Sequence, residues 1–513
     1  MPSRSSHAIR TPSKVATVDV ILDTLQKSKQ AIVFVNTKRS AEKEAEEIAK
    51  HLPVTSELCS LAEHAKSALS KPTEQCMRLA GCVQHGVAFH HAGLHSSQRS
   101  LIEDSFRIGK VKVICATPTL AAGVDLPAFR AVIRDLKRFS SQGMGWIPVL
   151  EYLQMAGRAG RPSYDSFGEA IILCNTESEC EAVLEKYVRG SPEPVFSKLA
   201  VEPVLRAYLL SLTASGIIHS VESAHVFFSK TFWAHQYGDL TRLQRILEHQ
   251  VDLLEEWGFV VQTKNKLVAT KLGERVAQLY LDPYTAHEFV VAIAKSSKTS
   301  VKVSSFSLLH LFCNTLELRP LLSVRQKECE LLQERLAQES LLQPEPDMFD
   351  EEYADWLKAT KTAMMLEAWM NEKDDQDLLE LFDVRPGESR AKLDLADWLC
   401  YSLVELAKLS KVFGVVKELQ KVRLRLKYGV REELLPLIRL EGIGRVRARK
   451  LFRNGIKDLA DIKLKTFDVL RDIVGAQVAK NLKKQVGDNV PEIVAENKRR
   501  GQLGLMGFDE STP

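Results

Sequence analysis

Short runs of β-branched and aliphatic residues recur along residues 14–190, and each is separated from the next by a stretch with the spacing of an amphipathic helix. Residues 31–36 (AIVFVN), 111–116 (VKVICA), 130–134 (RAVIR) and 170–174 (AIILC) are too apolar to be half-exposed and too short to be helices. They predict buried parallel strands, and residues 40–51 predict one of the intervening helices. Alternation of this kind builds an α/β sandwich on a parallel sheet. After the Pro-rich residues 190–194 helical spacing takes over. It is interrupted at 264–267, between the apolar runs FVVQ and LVAT, in the form of the wing of a small winged helix over 191–285. Residues 286–430 are helical nearly throughout, with breaks at 319–320, 343–346 and 386–387, which predicts a helical bundle. A last helical unit occupies 431–500, and the polar, glycine-bearing 501–513 predicts a mobile tail. The expected fold is therefore multi-domain, with an α/β domain over 1–190 followed by smaller, mostly helical ones.

Composition narrows the class. At 513 residues and 45% hydrophobic content, a guide of roughly 150 residues per domain gives about three to five units. The chain has no apolar run long enough to cross a bilayer, and its opening MPSRSSHAIR has no apolar signal core, which predicts a soluble, intracellular protein. Nine cysteines, an odd number without a Cys-x-x-Cys pair, predict reduced thiols and no zinc or other metal site. The net charge of +4 hides an asymmetry: residues 401–513 hold 24 Lys and Arg against 14 Asp and Glu. A basic end of this kind suits contact with phosphate, or else is an ordinary solvated helical surface.

Chemistry concentrates in four strings. QMAGRAGRP (154–162) interleaves Arg158 and Arg161 with Gly157 and Gly160. Arginine is the residue for charge developing on a transferred phosphoryl group, because its fork is permanently cationic and bidentate. ATPTLAAGVDLPA (116–128) follows a strand directly, so Thr117, Thr119, Gly123 and Asp125 fall at the carboxyl edge of the sheet, where open α/β folds bind ligands. Upstream lie IVFVNTKRSAE (32–42) and FHHAGLHSSQRSLIEDSFRIGKVKVICAT (89–117).

In order and spacing these strings resemble motifs IV, IVa, V and VI of superfamily 2 helicases. The likeness is strongest to the archaeal Hjm-type DNA helicases, relatives of the helicase part of DNA polymerase theta. The resemblance covers nearly the whole chain: a second RecA-like motor domain (1–190), a winged helix (191–285), a helical bundle with a ratchet helix (286–430) and a helix-hairpin-helix DNA-binding domain (431–500). It implies that Gln154, Arg158 and Arg161 face the ATP γ-phosphate. Gly123, Asp125 and Gly157 would lie by the nucleotide, with Asp125 standing where the family usually has asparagine. Thr37, His91, Gly93 and Thr119 would meet the DNA backbone. Residues 131–148 read as two extended runs around a Ser/Gly turn, and the resemblance makes them the hairpin that pries a duplex open, with Trp146, Met144 and Phe139 as wedges. Residues 393–406 resemble the ratchet helix, with Trp398 as a stacking platform. Its expected basic partner position holds Ala391, so Arg390 or Lys392 takes that part.

Residues 440–462 (LEGIGRVRARKLFRNGIKDLADI) pair two amphipathic helices through Gly-Ile-Gly. In this helix-hairpin-helix Gly442 and Gly444 let backbone N–H groups clasp phosphate, and Arg445, Arg447, Arg449 and Lys450 add charge. In the tail, Gln502, Leu505 and Phe508 have the spacing of a sliding-clamp binding peptide.

The sequence holds no G-x-x-x-x-G-K-[ST] loop, and its only Gly-Lys pair, Gly109-Lys110, runs into a strand. The resemblance then implies the C-terminal portion of an ATP-dependent 3′-to-5′ DNA helicase that acts on single-stranded and forked or branched DNA in repair and recombination, in the cytoplasm with the chromosome. ATP and Mg²⁺ would be bound mainly by a first RecA-like domain supplied in trans or by a longer gene, and this chain alone would be inactive. The alternative is a non-catalytic DNA-binding scaffold, but a pure binding module has no use for both arginines.

Overall fold

In the computed structural model, β1 (Ala31–Phe34), β2 (Val87–His90), β3 (Val113–Ala116), β4 (Arg130–Ile133), β5 (Lys137–Ser140), β6 (Gly143–Trp146) and β7 (Glu169–Ile172) belong to the first α/β region. The structure describes residues 9–69, 71–140, 143–161, 165–199, 201–264, 266–299 and 303–487. Strands β2, β3, β1, β4 and β7, in that spatial order, form one all-parallel sheet. Strands β1 to β4 are buried on both faces, which explains their near-continuous apolar sequences. The edge strand β2 was not among the strands expected. Every strand of a parallel sheet ends on the same side, so the segments after β1, β2, β3 and β4 gather at one carboxyl edge.

Thr37 caps the helix Lys38–Lys50, its Oγ1 accepting from the Ser40 N–H at 3.0 Å. Strands β5 and β6 pair antiparallel, with Phe139 opposite Met144 and Lys137 opposite Trp146. The helix Val149–Ala156 then leads into the Gly/Arg string. There the chain turns at Gly160, at φ +95°, and a Cβ on Gly168 would lie 2.2 Å from the Gly160 nitrogen, so two backbones touch where only glycine fits.

The next helices, Glu202–Ala214, Val221–Phe228, Phe232–Tyr237, Leu240–Glu256 and Lys271–Gln278, surround an antiparallel pair, β8 (Val260–Thr263) and β9 (Lys266–Ala269). The Leu267 N–H donates to the His219 carbonyl at 2.8 Å. The bundle that follows is built from Pro283–Thr299, Ser305–Cys313, Glu351–Met370, Pro386–Leu409 and Val416–Tyr428. No helix crosses the breaks expected at 319–320 and 343–346, and Pro386 opens the longest helix at its first turn, where a missing N–H costs nothing. One apolar core runs from Leu205 to Leu426 across both regions, and a second fills the α/β domain.

Val430 begins a separate compact unit. Its helices Leu435–Ile438, Arg445–Arg453, Leu459–Leu464, Phe467–Val474 and Ala476–Gln485 close over Leu437, Ala448, Leu451, Ile462, Leu470 and Leu482, all fully buried. Residues 488–513, and with them Gln502, Leu505 and Phe508, lie outside the described residues. Among the described residues no helix is long and apolar enough to cross a membrane.

Candidate nucleotide and nucleic-acid interface

The carboxyl edge of the sheet holds an open groove of about 890 Å³, lined among others by Thr37, Thr117, Thr119, Arg138 and Gln154. Thr37, Thr119 and Gln154 are exposed there, and Thr117 Oγ1 lies 2.9 Å from Thr119 Oγ1. These hydroxyls are rotatable donors on the ends of rigid strands, the chemistry that accepts a phosphate oxygen.

At the entry to β4 the two glycine-bearing strings are joined. The Ala128 N–H donates to the Arg158 carbonyl at 2.9 Å, and the Gly160 N–H donates back to Ala128 at 2.6 Å. Arg158 Nε and Nη2 both donate to the Ala121 carbonyl, at 3.1 Å for Nε, and Nη1 lies 3.6 Å from Asp125, which is itself almost fully exposed. Gly123 ends the short helix Thr119–Gly123 between them, and Gly157 is exposed at the end of Val149–Ala156. Arg161 is held from two sides: Nε donates to Asp165 Oδ2 at 2.8 Å and Nη1 to Gln30 Oε1 at 2.7 Å. Asp165 is buried and also receives Lys29 at 2.5 Å. Hydrogen bonds from Arg161 and Lys29 hold its carboxyl below the usual range. Both arginines are thus fixed, partly exposed guanidiniums that fit an anionic phosphoryl group. Among the described residues no group of three His, Cys, Asp or Glu side chains could hold a metal ion, so no Mg²⁺ ligand set is assigned to these residues.

Four expectations need correction. His91 is completely buried and Gly93 is buried too, so neither lies on an open DNA-binding surface. Trp146 sits at the base of its hairpin, edge-on to Tyr187 and beneath the Lys137 ammonium at 4.3 Å. The outward apolar pair is Phe139 and Met144, 79% and 67% exposed. Lys392 is buried and bonded to the Pro320 carbonyl, which leaves Arg390, 5.0 Å from the Trp369 ring, as the candidate of the two. Trp398 is half-buried, and its Nε1 donates to the Leu279 carbonyl at 3.1 Å, so its orientation is fixed by the preceding helical region.

In the C-terminal unit Gly442 turns at φ +79° and Gly444 precedes the helix Arg445–Arg453. Gly442, Gly444, Arg447 and Lys450 are exposed, while Arg445 and Arg449 are half-buried. Arg447 bonds the Gly442 carbonyl at 2.7 Å, and Arg449 pairs with Glu433 at 2.9 Å.

Two family models match: the helicase conserved C-terminal domain over residues 13–163 and the archaeal helicase domain 4 over 306–429. The chain is 40% identical to an ATP-dependent DNA helicase Hel308 of Pyrococcus horikoshii over 94% of its own length and 67% of the relative's. It is 36% identical to that of Methanocella arvoryzae, over 96% and 68% of the two chains. The chain belongs to the Hel308 family of archaeal superfamily 2 helicases.

Within this Hel308-type chain, sequence reasoning passed over the residues that occupy His91. Glu42, itself 2% exposed, takes His91 Nε2 at 3.2 Å, Arg385 Nε at 3.1 Å and Arg78 Nη1 at 2.6 Å. Burial pushes the Glu42 carboxyl up, but the close approach of His91 and the charges of Arg385 and Arg78 outweigh it and hold it at about 2. Burial holds His91 below its usual value; its Nδ1 accepts from the Gly93 N–H at 3.1 Å, and its Nε2 lies 3.2 Å from Glu42 Oε1 without hydrogen-bond geometry. A signal was available: Glu42 falls on the same helix face as Ala41, Ala45 and Ala49, all buried. A carboxylate there demands a buried cation.

Proposed function

We propose that this chain is the C-terminal part of an ATP-dependent 3′-to-5′ DNA helicase that unwinds forked or branched DNA in replication-coupled repair and recombination. A first RecA-like domain, in trans or from a longer gene, supplies the phosphate loop and most of the contacts to ATP and Mg²⁺. Arg158 and Arg161 then act on the charge that develops during phosphoryl transfer, with Gln154, Gly123, Asp125 and Gly157 beside the nucleotide. Thr37 and Thr119 grip the strand backbone in the groove, and Phe139 and Met144 part the duplex. Arg390 and Trp398 guide the single strand along the helix Pro386–Leu409. The region from 191 to 285 serves as a winged helix, and Gly442, Gly444, Arg445, Arg447, Arg449 and Lys450 hold phosphate as a helix-hairpin-helix. The protein works in the cytoplasm on chromosomal DNA, with Gln502, Leu505 and Phe508 as a docking peptide for the sliding clamp.

The observation that carries this reading is the joining of the two motif strings at the entry to β4, which fixes two guanidiniums on the same parallel sheet whose carboxyl edge holds the groove. Fixed donors cost no reorganisation when charge appears. The test is DNA-stimulated phosphate release by the chain alone and by the chain mixed with a Walker-bearing first motor domain. Release is expected only from the mixture. Robust release from the chain alone, or none from the mixture, refutes the division of labour.

A further inference from the structure

The loop after β2 and the start of the helix Pro386–Leu409 meet in a joint built of directional contacts. The Gly387 N–H donates to the Gly93 carbonyl at 3.0 Å. A Cβ on Gly387 would lie 2.3 Å from the carbonyl oxygens of both Ala92 and Leu94, and one on Gly93 would lie 2.4 Å from Arg385 Cδ. Beneath this contact the Glu42 carboxylate gathers His91, Arg78 and Arg385, so one buried anion ties the motor-domain helix, the loop after β2 and the bundle together. Around it, Lys38 pairs with Glu388, Arg39 with Asp383 at 3.0 Å and Lys71 with Asp374 at 2.6 Å. The Glu74 N–H donates to Gln376 at 3.2 Å.

A merely apolar contact could slide. A buried carboxylate that accepts from Arg78, Arg385 and Gln75, with His91 against it, cannot, because any shift leaves charges desolvated and unpaired. The joint also stands between two proposed contacts to one DNA strand. Thr37 heads the motor helix that carries Glu42, and Arg390 lies one turn beyond Gly387, near enough to His95 that its charge adds to burial in holding that ring below its usual value.

We propose that the Glu42-centred joint locks the helix Pro386–Leu409 to the motor domain, so that the groove and the helix act as a single rigid two-part grip on one DNA strand. Glu42, Arg385 and Gly387 are positioning residues, and His91 and Gly93 serve the strand through this joint rather than by touching it. The inference rests on the DNA path set out under Proposed function. Two contacts held at fixed separation turn the second binding event into an intramolecular one, which raises affinity only for strands long enough to reach both.

The experiment measures the affinity of the full chain for fluorescent oligothymidylates of increasing length, with Gly387→Ala and Glu42→Gln as variants. Gly387 has no positive φ, so alanine suits its own helix and disturbs only the joint. In the unaltered chain affinity should rise by about 10²-fold once a strand spans both contacts. In both variants the shortest strands should bind as before while that rise falls below about tenfold. Hydrogen exchange at residues 91–94 should quicken in Gly387→Ala without DNA. A uniform loss at all lengths, an undiminished rise or unchanged exchange overturns the joint. Absence of any rise in the unaltered chain instead defeats the DNA path, and the two-part grip with it.

Discussion

The motor domain and the unit that begins at Val430 present cations in opposite ways. In the α/β domain each assigned arginine is already held by protein: Arg158 by the Ala121 carbonyl, Arg161 by Asp165 and Gln30. In the C-terminal unit Arg447 and Lys450 stand exposed next to the open glycines of the turn. The same kind of side chain suits two physical tasks. A held guanidinium acts on charge that appears during a reaction and needs its direction fixed beforehand. An exposed cation acts on the permanent charge of a phosphate backbone, where release of counterions supplies the free energy and direction matters little.

Removing one held arginine should have the largest effect. With the first motor domain supplied, Arg161→Ala is expected to lower DNA-stimulated ATP turnover by about 10²-fold or more, about 3 kcal/mol in barrier. DNA affinity should stay nearly the same. Arg161→Lys should restore little, because it keeps the charge and loses the fork that spans Asp165 and Gln30. Equal turnover by the alanine variant would erase the distinction between the two kinds of cation.

Acid should separate the two regions next. His310 in the bundle is 1% exposed, edge-on to Trp356 at 4.3 Å, and burial lowers its pKa to about 4. A histidine with a depressed folded pKa is protonated more readily when unfolded. Its contribution is therefore full above about 6.5 and is lost as pH falls toward 4. By pH 5 that loss is about 2 kcal/mol. His90 and His91 shift in the same direction. Glu42, held at about 2, contributes little change in this window, because its own loss sets in only as pH falls through its ordinary value of 4.5 toward 2. Residues 430–513 contain neither histidine nor tryptophan, so tryptophan fluorescence reports on the first unit alone. Denaturant midpoints followed by that fluorescence should fall between pH 7 and 5. Exchange protection in helix Arg445–Arg453 should not change, and an unchanged fluorescence midpoint would show that His310 is not desolvated as described.

These contrasts also mark what the sequence could and could not reveal. Strands β1, β3 and β4 were legible because each lies in a continuous apolar run, the signature of a strand covered on both faces, while the partly exposed edge strand β7 was legible from its apolar run AIILC alone. Strand β2 (VAFH) is as long as the others, but its apolar run is only residues 87–89, between Gly86 and two histidines. The hairpin was legible from its turn, but its outward residues depend on register: Lys137 opposite Trp146 closes the base, and Phe139 opposite Met144 faces out. The family resemblance alone put His91 and Gly93 on a DNA surface, and nothing nearby in sequence showed that they are covered. The residue that does, Arg385, lies 343 positions from the Glu42 it shares with His91. Motif spacing identifies a loop, whereas its exposure depends on packing that no local pattern records.

The exposed hairpin pair sharpens the comparison on the motor side. Phe139→Ala with Met144→Ala removes the outward apolar surface and no charge. In the completed helicase this should slow opening of a forked duplex by about tenfold, since an apolar wedge offsets part of the unstacking cost of each step. Single-strand binding and ATP turnover should hold. A matching fall in turnover would mean that the hairpin acts on the motor and not on the duplex.

The smallest effect belongs to the cations of the C-terminal unit, and it is one of slope more than of size. Each phosphate contact adds about 0.7 to the dependence of single-strand affinity on the logarithm of salt concentration. If Arg445 and Arg447 each meet one phosphate, Arg445→Ala with Arg447→Ala should reduce that slope by about 1.4, so that between about 50 and 200 mM salt the unaltered chain loses about sevenfold more affinity than the variant. The variant should be weaker mainly at low salt and should approach the unaltered chain as salt rises, whatever the base sequence, because a glycine turn that offers N–H groups reads no base edge. Structural damage would look different. Arg447 bonds the Gly442 carbonyl, and a collapsed turn would lower affinity at every salt concentration and leave the slope unchanged. Titrations of one oligonucleotide across that salt range, with exchange protection of the helix Arg445–Arg453 as the folding control, distinguish the two. Parallel salt curves would remove this unit from the phosphate contacts and leave its basic surface an ordinary solvated face.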